Sequence, residues 1–467
     1  MMVRQYFESN FSGKRVGLLG FGREGISTYK TFREFVPGCK LVILDRNPDL
    51  EQRFRQEFGK LHTVELYGGS EYASHLTGCD VVFKSPGVSP LSLQRDGVAS
   101  GIDFQSQTGV FTRLFRNQII GVTGTKGKST TVSLLYHIFR TAGRDALLAG
   151  NIGIPPFQLL NQVKPDTTIV YEMSSHQLEG MTVSPGISVL LNIFQEHLDH
   201  YSGYREYQLA KMNIARWQQP GDIFIYNSTN NVVQSLVHEL HPGGIHYAIN
   251  GISEQGNGVS CRNNDLHITR GQKETIINGL CAERKLKGAH NLINIAAAAV
   301  AASLKGIEDE SIRKAVATFE GLPHRLEFVR EWKGVKYFND SISTIPESTI
   351  EAIKTFPAVQ TLLLGGFDRG VDYSILTDYL AEHPVPVIVF IGKAGERMLK
   401  AYQAREKGSS AQVFWYNSFE DAVRKAAEMS REGGVCLLSP AAASYDMFSN
   451  FEERGEKFRQ IIQELTG

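Results

Sequence analysis

Short apolar runs recur along this chain, each closed by a glycine or a polar turn and separated from the next by a stretch of helical period. Arg15-Val16-Gly17-Leu18-Leu19 leads through "GFGREG" into a helical pattern from Ile26 to Phe35. "KLVILDR", Lys40 to Arg46, predicts a second strand, and "CDVVFKSPGV" a third that turns at Pro86-Gly87. "NQIIGVTG", Asn117 to Gly124, reads as a strand running into a glycine loop. "STTVSLLYHIFRTAG", Ser129 to Gly143, reads as an amphipathic helix with a glycine stop. "TTIVYEMSS" and "ISVLLNIF" predict buried strands, and "AHNLINIAAAAVAASLKG", Ala289 to Gly306, an alanine-rich helix. Further on, "GVKYFNDS", "VQTLLLGGFD", "VPVIVFIGKAG" and "GGVCLLSP" each predict a strand ending at a polar or glycine-rich turn. Strands alternating with helices predict an α/β protein with parallel sheets, whose C-terminal strand ends carry the ligand groups.

Composition narrows the class. Of 467 residues, 42% are apolar and 21% charged, which is ordinary for a soluble globular protein. The formal net charge is zero, which argues against nonspecific binding to nucleic acid or an anionic membrane. Cys39, Cys79, Cys261, Cys281 and Cys436 are dispersed, with no spacing that suggests zinc or a redox couple, as expected in a reducing cytosol. The N-terminus lacks the apolar core of a signal peptide, and no apolar run approaches the ~18 residues of a membrane span. The expectation is a cytoplasmic protein without membrane insertion.

The chemistry starts at "GVTGTKGKSTT", Gly121 to Thr131. Gly127-Lys128-Ser129 fits the end of a Walker A loop, but the leading glycine position is Val122 and Gly121 falls one place early. The physical parts remain. Gly124 and Gly127 let backbone N–H groups face an anion, Lys128 adds charge, Ser129 can hold Mg²⁺, and a helix N-terminus follows. "GFGREG" fits Gly-x-Gly-x-x-Gly at Gly20, Gly22 and Gly25, with Asp45 closing the next strand. A tight strand–helix turn also needs such glycines for packing alone. Two glycine loops suggest two phosphorylated ligands. Glu172 ends one strand, and Asn192, Glu196, His197, Asp199 and His200 follow another, a plausible Mg²⁺ shell beside a γ-phosphate. Lys211 falls on a predicted helix, "YREYQLAKMNIAR", where the residues alone suggest a lysine snorkelling to solvent.

In order along the chain, "GTKGKST", "AGNIGIP", "EMSSHQLE", "EHLDHY", "AKMNIA", "GAHNLINIAAA", "GLPHRLE", "NDS", "LLLGGFDRG" and "LLSPAAASYDMFSNFEERG" resemble the Mur ligases, and most closely their glutamate-adding members. The resemblance implies three α/β domains: Rossmann-like over 1–110, P-loop ATPase-like over 111–320 and Rossmann-like over 321–467. It implies a monomer that uses ATP to join glutamate to UDP-N-acetylmuramoyl-L-alanine, with two Mg²⁺ sites. Gly20, Phe21, Gly22, Arg23, Asp45, Arg46, Ser85, Pro86 and Gly87 would hold the uridine nucleotide, and Asn151, Ser174 and Gln177 would position the linked substrate. Gly124, Thr125, Lys126, Gly127, Lys128, Ser129 and Thr130 would hold the ATP phosphates. Asn291 with its neighbour His290 would lie on the adenine side, and Asp340 at the ribose. Ser129, Glu172, His197 and a carbamylated Lys211 would be the metal ligands, which reverses the snorkelling reading. Arg325 would steady the transferred phosphoryl group, and His324 would help deprotonate the amine or be structural.

The chain departs from the family pattern at the amino-acid pocket. Where the family has Asp-Ser-Lys-Ala-Thr-Asn, this chain has Asp340-Ser341-Ile342-Ser343-Thr344-Ile345. The lost lysine would have faced a glutamate carboxylate. Thr344, Ser444 and Phe451 are the remaining candidates for that pocket, with Arg369 as a compensating cation. His176 stands in place of the usual Phe, and "FQSQTGVFTRLF" lacks the usual acid. The family default is D-glutamate. The "DSIST" variant is similar to a branch that uses L-glutamate, and the sequence leaves both open. More distant alternatives are another Mur ligase, which would need different C-terminal motifs, and a folyl-polyglutamate synthase-like ligase, against which the roughly 110 residues ahead of the phosphate loop count.

Overall fold

A computed structural model describes residues 2–59, 64–98, 101–150, 154–196, 200–286, 288–356, 358–405 and 411–466. The chain divides into two compact units, one made of Met1–Arg284 with His290–Thr318, the other of Lys285–Ala289 with Phe319–Gly467. The first unit carries two sheets and the second carries one.

The first sheet runs Val64–Gly68, Lys40–Asp45, Arg15–Leu19, Val81–Lys84, Phe104–Gln105, all parallel. Its order switches direction at Arg15–Leu19, so the ends of that strand and of Val81–Lys84 open a crevice there. Phe7, Phe11, Phe32 and Phe83 pack edge to face on one side of this sheet.

The second sheet has nine strands. Ile119–Thr123 lies between Thr168–Glu172 and Ile187–Leu190, all parallel and fully apolar or nearly so, as a strand covered on both faces must be. Helix Lys128–Thr141 packs against the alanine-rich helix His290–Leu304. At the far edge the sheet turns antiparallel through Asn257–Arg262, Asp265–Arg270 and Lys273–Ile277. The sequence reading did not anticipate this excursion. Its signal was present in Asn263-Asn264, which take φ of +51° and +71° in a tight hairpin that asparagine tolerates.

This excursion also brings two of the cysteines together. Cys261 and Cys281 are twenty positions apart, yet their Sγ atoms lie 3.4 Å from one another. Sequence spacing hid the pair because a hairpin folds between them.

In the second unit the strand order is Glu327–Trp332, Val335–Asn339, Val435–Leu438, Val359–Gly365, Val387–Ile391, Gln412–Tyr416. Only the first pair is antiparallel. Among the described residues no helix is long and apolar enough to cross a membrane.

Candidate active site

In the first sheet the turn after Arg15–Leu19 shapes a cavity. Gly20 takes φ +84°, and a Cβ there would meet Ser85 Cβ at 3.0 Å, so glycine is what lets the two strand ends approach. Ser85 Oγ donates to the Gly20 carbonyl at 2.7 Å. The cavity, about 460 Å³, is lined by Gly20, Gly22, Arg23, Asp45, Arg46, Ser85, Pro86 and Gly87 together with Glu24, Tyr72 and Ser92. The Phe21 ring turns away from it and stacks on Phe54 in the core. Its backbone N–H donates to Asp45 Oδ2 at 2.6 Å, and Asn47 N–H donates to Asp45 Oδ1 at 2.8 Å. Both oxygens of Asp45 thus order the turn itself. Arg46 pairs with Asp96 at 2.6 Å.

Ser174 and Gln177 form a reciprocal cap on the short helix Ser175–Leu178. Gln177 Nε2 also donates to Glu24 Oε1 at 2.9 Å. Burial raises the Glu24 carboxyl, and the bond from Gln177 works against that rise. Lys84 and Glu179 pair at 2.8 Å, with both side chains largely buried, which ties the first sheet to the second. Sequence reasoning missed Glu24 and Glu179, because nothing local marks an acid that acts across two sheets. Asn151 lies outside the described residues.

The second sheet delivers the phosphate loop from its centre. Gly127 takes φ +87° at the head of helix Lys128–Thr141, where a Cβ would sit 2.5 Å from Asn294 Oδ1. Asn294 Nδ2 in turn donates to Asn291 Oδ1 at 2.8 Å. The structure therefore brings Asn291 to the loop through Asn294, which the sequence reading did not single out. Lys126 N–H donates to Asn192 Oδ1 at 2.8 Å, and its Nζ pairs with Glu196 at 2.6 Å. Thr125 Oγ1 accepts the Phe194 N–H at 2.9 Å and bonds Tyr207 Oη at 2.8 Å. Ser129 and Thr130 occupy the first turn of the helix.

Lys128 Nζ donates to the carbonyls of Gly124 at 2.8 Å and Thr125 at 3.0 Å. Lys211 Nζ donates to the same Gly124 carbonyl at 2.9 Å and lies over the Tyr207 ring. Lys211 is 2% exposed, so the snorkelling reading fails: the helix Tyr204–Arg216 turns this lysine inward. Burial, and then the charge of Lys128, push its pKa well below the usual lysine range, while Glu196 and Glu172 pull the other way. Glu172 is fully buried at its strand end. His197 and Asp199 lie outside the described residues. Among the described residues, no three His, Cys, Asp or Glu side chains gather as a cation site. Glu172 and Ser129 are hard oxygen donors, a set that suits Mg²⁺.

In the second unit the candidate residues collect at three adjacent strand ends. Asp340 follows Val335–Asn339 and is 3% exposed. Its Oδ1 accepts the Leu326 N–H at 3.1 Å and its Oδ2 the Ser439 hydroxyl at 2.8 Å. Burial pushes its carboxyl up to about 6, against the pull of these bonds and of Arg325. Arg325 precedes Leu326, and its Nε is buried without a partner among the described residues. His324 takes φ +60°, a left-handed backbone that costs a non-glycine residue energy and signals a constrained position. Asn339 Nδ2 faces His324 Nδ1 at 3.0 Å, Glu327 Oε2 at 3.0 Å and the Gly455 carbonyl at 3.1 Å, while Asn339 Oδ1 accepts the Ser341 N–H. The Glu327 carboxylate and the Gly455 carbonyl are both acceptors, which assigns this nitrogen as the NH₂ end. His324 Nδ1 also lies 3.6 Å from Glu327 Oε2.

Ser444 is buried, and Ser341 Oγ donates to the carbonyl of Phe451 at 2.8 Å. Ile342 and Thr344 are half-buried on the turn between Asp340 and Pro346. Arg369 is exposed and lies over the Tyr445 ring at 5.2 Å.

A glycine loop on a central parallel strand, followed by a Rossmann-like unit with polar strand ends, defines a P-loop α/β class, and comparison gives the family. Residues 122–302 match the Mur ligase middle domain and residues 324–442 the Mur ligase glutamate ligase domain. The chain belongs to the Mur ligase family. It is 32% identical to a UDP-N-acetylmuramoylalanine–D-glutamate ligase of Ruminiclostridium cellulolyticum over 99% of both chains. It is 33% identical to the ligase of the same name from Clostridium kluyveri over 98% of both. Among solved structures it is similar in fold to UDP-N-acetylmuramate-alanine ligase from Thermotoga maritima, at TM-score 0.56 and 15% identity over 97% of this chain and 100% of that one. It is also similar in fold to a MurF ligase from that organism in complex with ADP, at TM-score 0.56 and 16% identity over 98% and 97%.

Proposed function

We propose that this chain is a cytoplasmic, monomeric ligase of peptidoglycan precursor synthesis, joining glutamate to UDP-N-acetylmuramoyl-L-alanine with release of ADP and phosphate. The domains would be 1–110 for the sugar nucleotide, 111–320 for ATP and 321–467 for the amino acid. The observation that carries the reading is the lysine pair on the Gly124 carbonyl.

A free carboxylate has no leaving group, so an amine cannot displace its oxygen at neutral pH. Phosphorylation by ATP turns the L-alanyl carboxylate into an acyl phosphate. Attack by the glutamate amine then expels phosphate through a tetrahedral intermediate. The protein's share is positioning and charge neutralisation. Lys128 and the N–H groups of 124–130 suit the ATP phosphates. Mg²⁺ would offset charge where ATP meets a carboxylate, with Ser129, Glu172, His197 and carbamylated Lys211 as its two sets of ligands. Burial pushes the Lys211 pKa well down, toward the neutral form that can add CO₂. Arg325, His324 and Asp340 keep the roles that the resemblance gives them.

D-glutamate is the amino acid in the names of the full-length relatives, and it is the main reading. L-glutamate is the second, favoured by one observation: Ile342 stands where a pocket lysine is expected. The test is phosphate release from ATP by purified protein, dependent on UDP-N-acetylmuramoyl-L-alanine, run with each enantiomer in turn. Release with neither enantiomer would sink the reading.

A further inference from the structure

Arg454, on the helix Phe451–Thr466, is 2% exposed. Its Nε donates to Ser341 Oγ at 2.9 Å and its Nη2 to the Ser341 carbonyl at 2.7 Å. Its Nη1 donates to the carbonyls of Ala442 and Ala443, both at 3.0 Å. Four of the five guanidinium N–H bonds are thus used, all on uncharged acceptors. Among the described residues no carboxylate lies within ion-pair distance of it. Asp446 is felt only through its field, and burial lowers the guanidinium to about 10.

A buried cation whose opposing charge, Asp446, lies beyond ion-pair distance is unfavourable, and a purely structural clamp would be served as well by neutral donors. The place of this one is informative. Ser341 adjoins Ile342, and Ala443 adjoins Ser444. The third turn closes on the same group: a Cβ at Gly366 would meet Ala443 O at 2.3 Å and Arg454 Nη1 at 3.1 Å, and Phe367 N–H donates to Ala443 O at 2.9 Å. Arg454 therefore ties together the ends of Val335–Asn339, Val435–Leu438 and Val359–Gly365, three neighbours in the sheet. The expected substitute for the missing lysine, Arg369, is instead exposed against Tyr445.

We propose that Arg454 is a positioning residue for the incoming amino acid: it locks these three turns and keeps under them a positive charge that an acidic amino acid balances. The inference rests on the ligase reading above. The test uses full-length Arg454→Met and Arg454→Lys, measuring kcat and KM for glutamate, ATP and the sugar nucleotide, and the preference for glutamate over glutamine. In Arg454→Met the glutamate KM rises about tenfold and the preference falls, while the ATP KM stays within about twofold. Arg454→Lys recovers most of the preference. Unchanged glutamate KM and preference in Arg454→Met overturns the inference, as do equal losses for all three substrates in both variants. Should Arg454→Met not fold, Arg454→Lys decides: a raised glutamate KM with preference kept supports the role, and an unchanged KM refutes it. A wild-type chain that turns over neither enantiomer overturns the ligase reading and this inference with it. An active wild type with indifferent variants overturns the inference alone.

Discussion

Lys128 and Lys211 share one acceptor: both Nζ atoms donate to the carbonyl oxygen of Gly124, at 2.8 and 2.9 Å. Two ammonium groups on one oxygen repel, and the more buried of them gives way. Lys211 is that one: burial, and then the charge of Lys128, push its pKa well below the usual lysine range.

If that amine carries CO₂, removing it removes a carboxylate. Lys211→Ala should lower turnover by at least ~10³-fold, and added formate or acetate should restore part of it. Near-normal activity without any rescue would make Lys211 a packing residue.

The same lysine leaves a mark on stability. Its folded pKa lies below its unfolded value, so the native state binds fewer protons and gains stability as pH rises toward the ordinary lysine range. In bicarbonate-free buffer at neutral pH, Lys211→Met should therefore melt about 2–4 °C higher than wild type. The gap should shrink as pH climbs through the lysine range. A gap that widens with pH would contradict the buried, depressed lysine.

Asp340 predicts the opposite slope. Its folded pKa, pushed up to about 6 from 3.8, means the native state keeps a proton that the unfolded chain releases. Wild-type stability should fall as pH rises across that window, relative to Asp340→Asn. Urea unfolding of both proteins should show their difference moving against wild type by about 3 kcal/mol between acid and neutral pH. A pH-independent difference would mean that Asp340 titrates normally.

Ile342→Lys restores the missing charge at the turn. The ratio of kcat/KM for D- over L-glutamate should shift by about tenfold or more, because a new cation favours whichever enantiomer sets its carboxylate there. An unchanged ratio would place the choice of enantiomer elsewhere in the pocket.

The fold was largely legible because its strands are buried on both faces and read as continuous apolar runs ending in glycine. Ile119–Thr123 and Val387–Ile391 are examples. The strand–turn–helix corner at 124–129 was legible because its glycine pattern is local. Lys211 was not legible from the residues alone: a helix pattern gives its face but not whether solvent lies beyond it. Glu24, Asn294 and Arg454 were missed for a common reason. Each acts on a partner distant in sequence, namely Gln177, Gly127 and Ser341. The seat of the His324 ring was also beyond reach, since Asn339 and Gly455 pack against it from two other elements.

Gly455 lies so close to His324 that a Cβ there would come within 2.2 Å of Nδ1. The imidazole and the final helix are therefore fitted to one another with no slack for a single methyl. Saturating position 455 would report on the ring without touching it: alanine must unseat the histidine or push the helix outward. A screen for activity at that site thus gauges how much catalysis depends on where the ring stands.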